Sequence, residues 1–565
     1  MLILAKSIQQ YKRPLVITVC FLAMALSYVF NVPHVEGPDE SGHILYTHYI
    51  LEHGSLPPLL TRETIATLTE RTDLWNTHTH HPPLYYALGV TLTAWTSRTD
   101  IDAYFLHNRT LFERTHTPAN INLWLRPVNT QGDTGIFLYS LRFMSLTFSL
   151  LTLWLMYWVA MLITDDPYLS ALVMAVPLAM PSFLIASASV GNDSLLILLY
   201  TAGLAWAVRF WQTPIISRID YGAVTLILSS AILAKLTGIT LGVVVYGAVL
   251  IRAWQNHISW HESVRFVSIT ACLVALLTSW WFVRLYIETG HPFASTTVLD
   301  IWGRAEPLTW TTLLLDLREI WVSLWVSVGY GAYPFQLPTL YYLYASMLTI
   351  IGLGASMVLA GKARLLRLGL FGVIVMLVAF LLYVNMSMDT SYGRLLLPAL
   401  LPFALLLIVG WAGIRRWLPL LMLTPLILVS LWVTFVSVPR LYPPLAPTND
   451  IPRIYQSLDP VLLIETDYAL LRDALFVDIY LTADFPADTA LSFAVHANDN
   501  NERLGYVEQI PAMVDWSTVD SDTGTFYRTE VRVPVARYTD AVLYLDVLDL
   551  PTGQVMQSAQ VPIPR

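Results

Sequence analysis

Residues 15–32, LVITVCFLAMALSYVFNV, form an almost uninterrupted apolar run that follows Lys12 and Arg13. A helix of this length is long enough to cross the hydrocarbon core of a bilayer. A cleaved signal peptide is the alternative interpretation, but the run is long and no small-x-small cleavage site follows it. We therefore interpret the run as an uncleaved first membrane helix.

Further runs of this kind follow along the 565 residues, which indicates a polytopic α-helical membrane protein. Only 13% of the residues are charged and 55% are hydrophobic, whereas a soluble domain carries about 25% charged residues. The 221–252 region is the least distinct, because its two spans are short and almost fuse. About eleven transmembrane helices are predicted, at 14–32, 138–162, 168–187, 193–210, 221–235, 238–252, 266–286, 339–360, 368–384, 394–411 and 417–437.

The charges of the short loops predict the orientation of the chain. With a cytoplasmic N-terminus, nearly every short inner loop is basic, as the positive-inside rule requires, and residues 165–167 are the exception. The long loop 33–137 and the C-terminal tail then lie outside. Segments 84–96 and 311–332 are predicted to lie at the membrane surface, because a crossing at 84–96 would move the later basic loops outside.

The composition changes after Pro439. Residues 446–565 hold 18 Asp and Glu against 7 Lys and Arg, and their apolar runs are short. We predict a transmembrane domain over residues 1–440 and an extracytoplasmic β-sandwich domain over residues 441–565.

Three segments of the tail, 475–481, 490–496 and 528–533, have the pattern of strands, and apolar and polar residues alternate in the last one. Three aromatic residues of the tail either stack on sugar rings or fill the core of the sandwich. They are Trp516, Phe526 and Tyr527. The chain has a net charge of −8 and no basic stripe, so nucleic acid is not an expected partner. Both cysteines lie in apolar runs, so no disulfide framework is expected.

The long loop opens with residues 36–43, EGPDESGH. Pro38 suits the first turn of a helix, which would place Asp39 and Glu40 near its N-terminus, where backbone amides favour an ionised carboxylate. Asp39 and His43 are four residues apart and would share one helical face. A carboxylate that faces a cleft is suited to act as a general base, and a simple helix cap is the alternative.

Six histidines of this loop, at positions 43, 48, 53, 78, 80 and 81, accompany Asp39. Imidazole and carboxylate groups are ligands for divalent cations, but no tight His-x-x-x-His spacing with a carboxylate partner recurs here. Simple hydrogen bonding and a divalent cation therefore both remain open, and no other cofactor is expected.

Cations stand at the predicted outer ends of several spans, with Asn192 and Asp193 on the same side. Any one of them could extend to lipid head groups. A group of them on one face fits a lipid-linked phosphate, because the charge of that leaving group grows as its bond to the sugar breaks. The cations are Arg142, Lys235, Arg284 and Arg394.

These motifs resemble the GT-C superfamily of polyprenyl-phosphate-dependent glycosyltransferases, above all the branch of protein O-mannosyltransferases and lipid A aminoarabinose transferase. The resemblance covers about residues 1–440 and rests on the order and spacing of several segments. They are Asp39-Glu40 with His43 and Tyr46, His81 to Tyr86, Arg142 with Ser145, Pro181 with Asn192-Asp193, Lys235 to Gly238, Trp281 to Pro292, and Tyr392 to Leu395.

The resemblance implies a GT-C fold, a donor sugar on a polyprenyl monophosphate, and Asp39 as the catalytic base, with Glu40 and His43 in the catalytic group. Some relatives carry Lys where His81 stands, so His81 would contact phosphate only when protonated. The expected phosphate-binding residues are Arg284, Arg394, Lys235, Arg142 and His81. The expected substrate-binding residues are His80, Tyr85, Tyr86, Asn192, Asp193 and Tyr392.

A physical argument leads to the same expectation, because nucleotide sugars stay in the cytosol and a sugar used outside must arrive on a lipid. We predict transfer of a hexose or pentose from polyprenyl phosphate to a glycan, lipid or protein acceptor, with inversion. The compact loops favour a bacterial plasma membrane. The alternatives are a flippase for lipid-linked sugars, which would show charges within spans and repeated halves, and a non-catalytic glycan-binding membrane protein.

Overall fold

A computed structural model describes most of the chain, and every structural statement below refers to the part that it describes. Apart from a two-stranded ribbon in the long loop, all described strands lie from Ala446 onward, after the helices of the membrane part. The described residues are 2–59, 78–108, 110, 122–128, 134–304, 307–326, 328–329, 335–359, 361–388, 390–448, 456–458, 461–468, 474–482, 485–486, 488–497, 503–518, 526–535 and 541–562.

The membrane part is built from α-helices that are joined by short turns. Turns of 3-10 or π-helix lie at Ile101–Phe105, Val176–Ala179, Leu236–Gly238, Gly361–Ala363, Gly393–Ala399 and Val433–Ser437. The α-helices are Leu2–Asn31, Glu40–His53, Leu84–Thr93, Thr134–Thr164, Pro167–Ala175, Pro181–Ala188, Asn192–Gln212, Arg218–Ala234, Ile239–Trp254, Trp260–Thr289, Ser295–Trp302, Trp310–Trp325, Thr339–Val358, Arg364–Asn385, Leu400–Ile414, Leu418–Trp432 and Val438–Leu441.

Nine of the described helices are long and apolar enough to cross a membrane, which confirms a multi-pass helical protein. A tenth span results if Pro167–Ala179 and Pro181–Ala188, which are bent by 77° at their junction, count as one. One predicted span, at 221–235, is not among these helices. It corresponds to the 17-residue helix Arg218–Ala234. At about 1.5 Å per residue it covers roughly 26 Å, which is at the lower limit of the length that crosses a bilayer.

Two spans lie at the centre of the bundle. In Asn192–Gln212 and Gly393–Ile414, 72% and 78% of the apolar segment is buried by the rest of the chain. Outer helices instead expose large apolar side chains, such as Leu276 and Ile350, each 71% exposed, as a lipid-facing surface requires. The first turns of the two central spans carry Asp193 and Arg394, which brings these two side chains to the same end of the bundle.

Two predicted surface segments are helices too short to be counted as spans. Leu84–Thr93 has 10 residues and Trp310–Trp325 has 16. Both pack on the bundle near the ends of long helices, and both contribute to the site described below.

The C-terminal strands form two antiparallel sheets that pack on a shared apolar core. The strands are numbered in chain order. The ribbon is β1 (Leu106–His107) and β2 (Trp124–Leu125). The tail holds β3 (Ala446–Thr448), β4 (Gln456–Leu458), β5 (Val461–Tyr468), β6 (Ala474–Thr482), β7 (Thr489–Ala497), β8 (Arg503–Gln509), β9 (Phe526–Pro534), β10 (Ala541–Asp549) and β11 (Val555–Pro562). The two sheets have the strand orders β3-β9-β6-β5-β4 and β11-β10-β7-β8.

The predicted alternation in β9 is confirmed. Val531 and Val533 are fully buried, whereas Arg528 on the same strand is exposed, because successive side chains of a strand point to opposite faces. Trp516 is 4% exposed and packs against Phe485 and Tyr527. The aromatic residues at 516 and 527 therefore fill the core, which removes the sugar-stacking interpretation for them.

A short strand pairing joins the sandwich to the long loop. The Arg126 amide donates to the Met513 carbonyl, and the Asp515 amide donates to the Arg126 carbonyl, each at 3.0 Å. Two residues earlier, the Trp124 amide donates to the Glu36 carboxylate at 2.6 Å. The sandwich is thus connected by hydrogen bonds to a point three residues before Asp39.

Candidate active site

Asp39 lies immediately before the helix Glu40–His53. Its backbone is left-handed, with φ 59° and ψ 12°, and its side chain makes no capping hydrogen bond. Such a backbone is uncommon outside glycine, and Asp tolerates it better than most residues. The prediction that Pro38 begins the helix is therefore wrong, because the helix starts two residues later. The helix-cap interpretation also fails, because the carboxylate turns away from the helix.

The Asp39 carboxylate forms an ion pair with Arg394. The Arg394 guanidinium lies over the Tyr392 ring, 5.4 Å from its centroid. Gly393 rests directly on the Trp310–Trp325 helix, where a Cβ would meet the Ile320 carbonyl oxygen at 2.1 Å. Only glycine allows this approach, so Gly393 sets the position from which Arg394 reaches Asp39.

The electrostatics of the site keep Asp39 ionised. Burial raises the pKa of its carboxyl group, but Arg394 lowers it, and the more distant His78, His43 and Lys235 lower it further. The net pKa lies well below the ordinary value. Because 38% of the Asp39 side chain remains exposed, the carboxylate is both charged and open to a reactant.

Four histidines form a cluster beside Asp39. The closest ring centroids are 4.4 Å apart for His80 and His81, 4.8 Å for His43 and His78, and 5.3 Å for His78 and His81. Burial lowers the pKa of all four imidazoles, and that of His80 falls to about 3. These rings are therefore neutral at pH 7, and His81 lacks the charge that its predicted phosphate contact requires.

Ligand-type atoms of Asp39, His43 and His78 lie within 4.8 Å of one another, and no other described group of such residues is as compact. The Arg394 guanidinium already neutralises the carboxylate of this group. A cation would have to share Asp39 with that guanidinium against charge repulsion, so we assign no metal here.

Buried tyrosines pack against the histidine cluster. The Tyr86 hydroxyl and His43 Nδ1 are 2.8 Å apart, and the Tyr86 ring stacks on Tyr46 with centroids 3.7 Å apart. Tyr85 accepts a hydrogen bond from the Gly191 amide at 3.0 Å. Tyr85 and Tyr86 have no exposed surface. In this conformation both predicted substrate-binding tyrosines support the site instead of facing a substrate.

Glu40 and Arg142 form a second ion pair, which is almost wholly buried. Arg142 donates to both Glu40 oxygens, at 2.8 and 2.6 Å. Its remaining N–H groups donate to the carbonyls of Val29, Val32 and Pro33. All five donors of this guanidinium are thus used by the protein, which leaves none for the predicted phosphate contact. Glu40 in turn accepts the amides of Gly37 and Val190 and is committed to this structural network.

Lys235 pairs with Asp193 at 2.5 Å. Asn192, which has no exposed surface, donates to the Ala234 carbonyl at 3.1 Å and ties its helix to the turn before Lys235. A cleft beside this pair is lined by Asp193 and Lys235, by Tyr200 and Thr237, and otherwise by apolar side chains. Its apolar lining consists of Leu196, Leu377, Phe380, Leu381, Val384, Leu395 and Pro398.

Arg284 reaches the site indirectly. It pairs with Glu288 at 2.6 Å and donates to the Pro57 carbonyl at 2.6 Å. It also interacts with the Tyr46 hydroxyl, and Tyr46 stacks on Tyr86 below the histidine cluster. The structure therefore brings Arg394 into contact with Asp39, whereas the contacts of Arg284 lead to Asp39 through Tyr46, Tyr86 and His43.

Two important positions were missed by the sequence patterns. In the sequence, His78 is one of several histidines of the long loop, yet in the structure it lies against Gly42, where a Cβ would meet its Nδ1 at 1.9 Å. Glu36 is 2% exposed and binds the Leu123 and Trp124 amides. In the sequence, Glu36 is recognisable only as an acidic residue shortly before Asp39, because the residues whose amides it binds lie 87 and 88 positions away.

No protein-family model matches this chain, and no curated protein matches it. Several solved structures do. ArnT from Cupriavidus metallidurans bound to undecaprenyl phosphate is 15% identical, with a TM-score of 0.42 over 70% of this chain and 60% of that chain. AglB from Archaeoglobus fulgidus, in complex with an inhibitory peptide and a dolichol-phosphate, is 12% identical, with a TM-score of 0.42 over 77% and 55%.

The Pmt1-Pmt2 protein O-mannosyltransferase complex of S. cerevisiae bound to the sugar donor is 14% identical, with a TM-score of 0.33 over 49% of this chain and 34% of that chain. The kind of protein that the sequence motifs resemble is thus among the structures found. This chain spans about 60% of the ArnT chains that it matches. These TM-scores lie below 0.5, so the likeness by itself carries no conclusion about function.

Proposed function

We propose that this protein is an integral membrane glycosyltransferase of the GT-C type, which moves a sugar from a polyprenyl-phosphate donor to an acceptor. The observation that carries the proposal is the contact between Asp39 and Arg394. It places a carboxylate that stays ionised beside a guanidinium, at the end of a central membrane span. A general base and a phosphate-binding cation are the two groups that such a transfer requires.

In the proposed reaction, Asp39 takes the proton from an acceptor hydroxyl or amine as that group attacks the anomeric carbon. The bond from this carbon to the phosphate oxygen breaks, and polyprenyl phosphate leaves with the electron pair. One guanidinium can bond a carboxylate with one nitrogen and a phosphate oxygen with another, so Arg394 serves both groups. A single displacement of this kind inverts the anomeric carbon.

The cleft beside Lys235 suits the lipid part of the donor. Its lining combines the charged side chains of Lys235 and Asp193 with mostly apolar side chains, apart from Tyr200 and Thr237. A phosphate on an isoprenoid chain has the same division into a charged head and an apolar tail. We therefore place the phosphate between Lys235 and Arg394, with the first isoprenoid units in the cleft, and leave Arg142 out of this site because its donors are used elsewhere.

The proposed orientation has the N-terminus in the cytoplasm, and the site and the sandwich outside. This orientation follows from the basic short loops and explains the use of a lipid-linked donor. The rival interpretation as a glycan-binding protein loses its main support, because Trp516 is buried in the sandwich core.

The test is transfer by the full chain in lipid vesicles that contain a panel of sugars on polyprenyl phosphate, together with glycan, lipid and peptide acceptors. Mass spectrometry measures free polyprenyl phosphate and glycosylated acceptor. We expect transfer from at least one donor, none with Asp39→Asn, and full transfer with Glu319→Gln, a matched loss of an exposed carboxylate that pairs with Arg318. Normal turnover by Asp39→Asn would remove the assignment. Movement of intact donor across the vesicle without transfer would favour the flippase.

A further inference from the structure

The proposed reaction leaves one proton on Asp39 in every turnover. Arg394 and Lys235 stabilise the ionised carboxylate, so the protonated form of Asp39 is unfavourable and the proton has to move to a neighbouring group before the next cycle. The Asp39 carboxylate and a ring nitrogen of His78 lie within 4.8 Å of each other, a distance that one bridging water or a small side-chain rotation closes.

His78 is held in place for contact with Asp39. Its ring lies flat against the backbone of Gly42, where a Cβ would meet Nδ1, Cε1 and Cγ of His78 at 1.9, 2.5 and 2.6 Å. Gly42 lies in the first turn of the helix Glu40–His53, three residues after Asp39, so the ring is positioned close to the carboxylate. His43, the other ring near Asp39, is already engaged at Nδ1 by the Tyr86 hydroxyl and is less exposed than His78.

We propose that His78 is the proton-relay residue of this site, which takes the proton from Asp39 after transfer and releases it to water. This inference rests on the proposed glycosyl transfer. The O–H bond of protonated Asp39 breaks and an N–H bond forms on the neutral imidazole, which gives a carboxylate and an imidazolium. The imidazolium then returns its proton to water, so no further reactant is consumed.

The groups around His78 suit a short-lived imidazolium. Burial lowers the pKa of His78, Asp39 raises it, and Arg394 and Lys235 lower it again. The neighbouring rings of His43 and His81 are neutral and add no charge. The ring is therefore neutral and ready to accept a proton before each turnover, and its imidazolium gains the Asp39 carboxylate as a counterion only after the transfer.

The experiment is chemical rescue of His78→Ala in vesicles that contain the full chain and a donor found in the panel. At saturating substrates and pH 7 we expect kcat to fall about 100-fold, the lower end of general acid–base contributions, with little change in donor KM. Added imidazole should restore at least a tenth of the lost rate, because the substitution leaves a ring-sized space next to Asp39. His53→Ala, at the exposed end of the helix Glu40–His53, is the matched control and should behave as wild type with and without imidazole.

Gly42→Ala is the second variant, because its Cβ displaces the His78 ring without removing it. We expect a similar fall in kcat that imidazole does not restore, since the displaced ring fills the space. The wild-type kcat should also fall as the pH drops through the pKa of His78, because a protonated ring accepts no proton, and this acid limb should be absent in His78→Ala.

An unchanged kcat and pH profile in His78→Ala would overturn the relay, as would a loss of activity that imidazole fails to restore. In both cases the proposed function stands as long as Asp39→Asn is inactive. Full activity of Asp39→Asn would overturn the proposed function itself, so the two failures are distinguishable.

Discussion

Two neighbouring carboxylates, Asp39 and Glu40, each pair with an arginine, and the two pairs have opposite characters. The Glu40–Arg142 pair has side chains that are 0% and 1% exposed, and every guanidinium donor is bonded. The Asp39 side chain is 38% exposed and its arginine lies over the Tyr392 ring. The buried Glu40–Arg142 pair can stabilise the loop but has no hydrogen-bond donor left for a reactant. The partly exposed Asp39–Arg394 pair can form hydrogen bonds with a reactant.

The largest expected effect is that of Asp39→Asn on transfer. The amide keeps the shape of the side chain but cannot accept a proton as a base, so the transfer rate should fall by about 10²- to 10⁴-fold. The stability should change by less than about 1 kcal/mol, because the pair is partly exposed. Vesicle assays and thermal unfolding in detergent measure the two quantities. An unfolded Asp39→Asn protein would contradict this prediction. It would show that the Asp39–Arg394 pair, like the Glu40–Arg142 pair, stabilises the fold.

Glu40→Gln should have the opposite profile. It leaves Arg142 buried with part of its charge unpaired, which costs about 3–5 kcal/mol of folding stability. The measurement is the thermal midpoint and the yield of folded protein in detergent, with Glu319→Gln as the control for a lost exposed carboxylate. A Glu40→Gln protein of normal stability would show that the buried pair does not hold the loop.

Arg394→Lys tests the Asp39–Arg394 pair by changing the arginine instead of the carboxylate. The ammonium group keeps the charge but loses the planar fork that can bond carboxylate and phosphate together. The loss of about one charge-assisted hydrogen bond predicts a roughly tenfold fall in transfer. The fall should appear in the dependence of rate on donor concentration, since the donor phosphate is the proposed partner. A rate equal to that of wild type would place the phosphate elsewhere.

Glu36 is a third carboxylate of the same loop, and it forms no ion pair with any of the arginines that the structure describes. Burial raises its pKa to about 8, although the Trp124 and Leu123 amides lower it. The folded protein thus keeps a proton that the unfolded chain releases from about pH 4.5, so stability falls as the pH rises towards 8. Between pH 7 and 8 the loss is about 1 kcal/mol, measured as a pH-dependent thermal midpoint. The slope should vanish in Glu36→Gln, and its persistence there would assign it to another group.

The sequence alone determined the architecture, because that depends on local patterns. The length of apolar runs specified the membrane helices, and alternation specified strand β9, since both are periodic along the chain. The short 221–235 segment is the exception, because a helix near the length limit cannot be assigned from hydropathy alone. Of the site, the sequence also supplied Asp39, His43, Lys235 and Arg394 as candidates.

Only the tertiary structure decided which of these side chains work together. Arg142 lies 102 residues after Glu40, and Arg394 lies 355 residues after Asp39. No local pattern distinguishes the two arginines, since both lie near the outer end that the sequence predicts for a membrane span. The burial of Tyr85 and Tyr86 and the contact of His78 with Gly42 are also products of helix packing. Apolar run length and strand alternation depend on neighbours in the chain, whereas pairing, burial and pKa depend on neighbours in space.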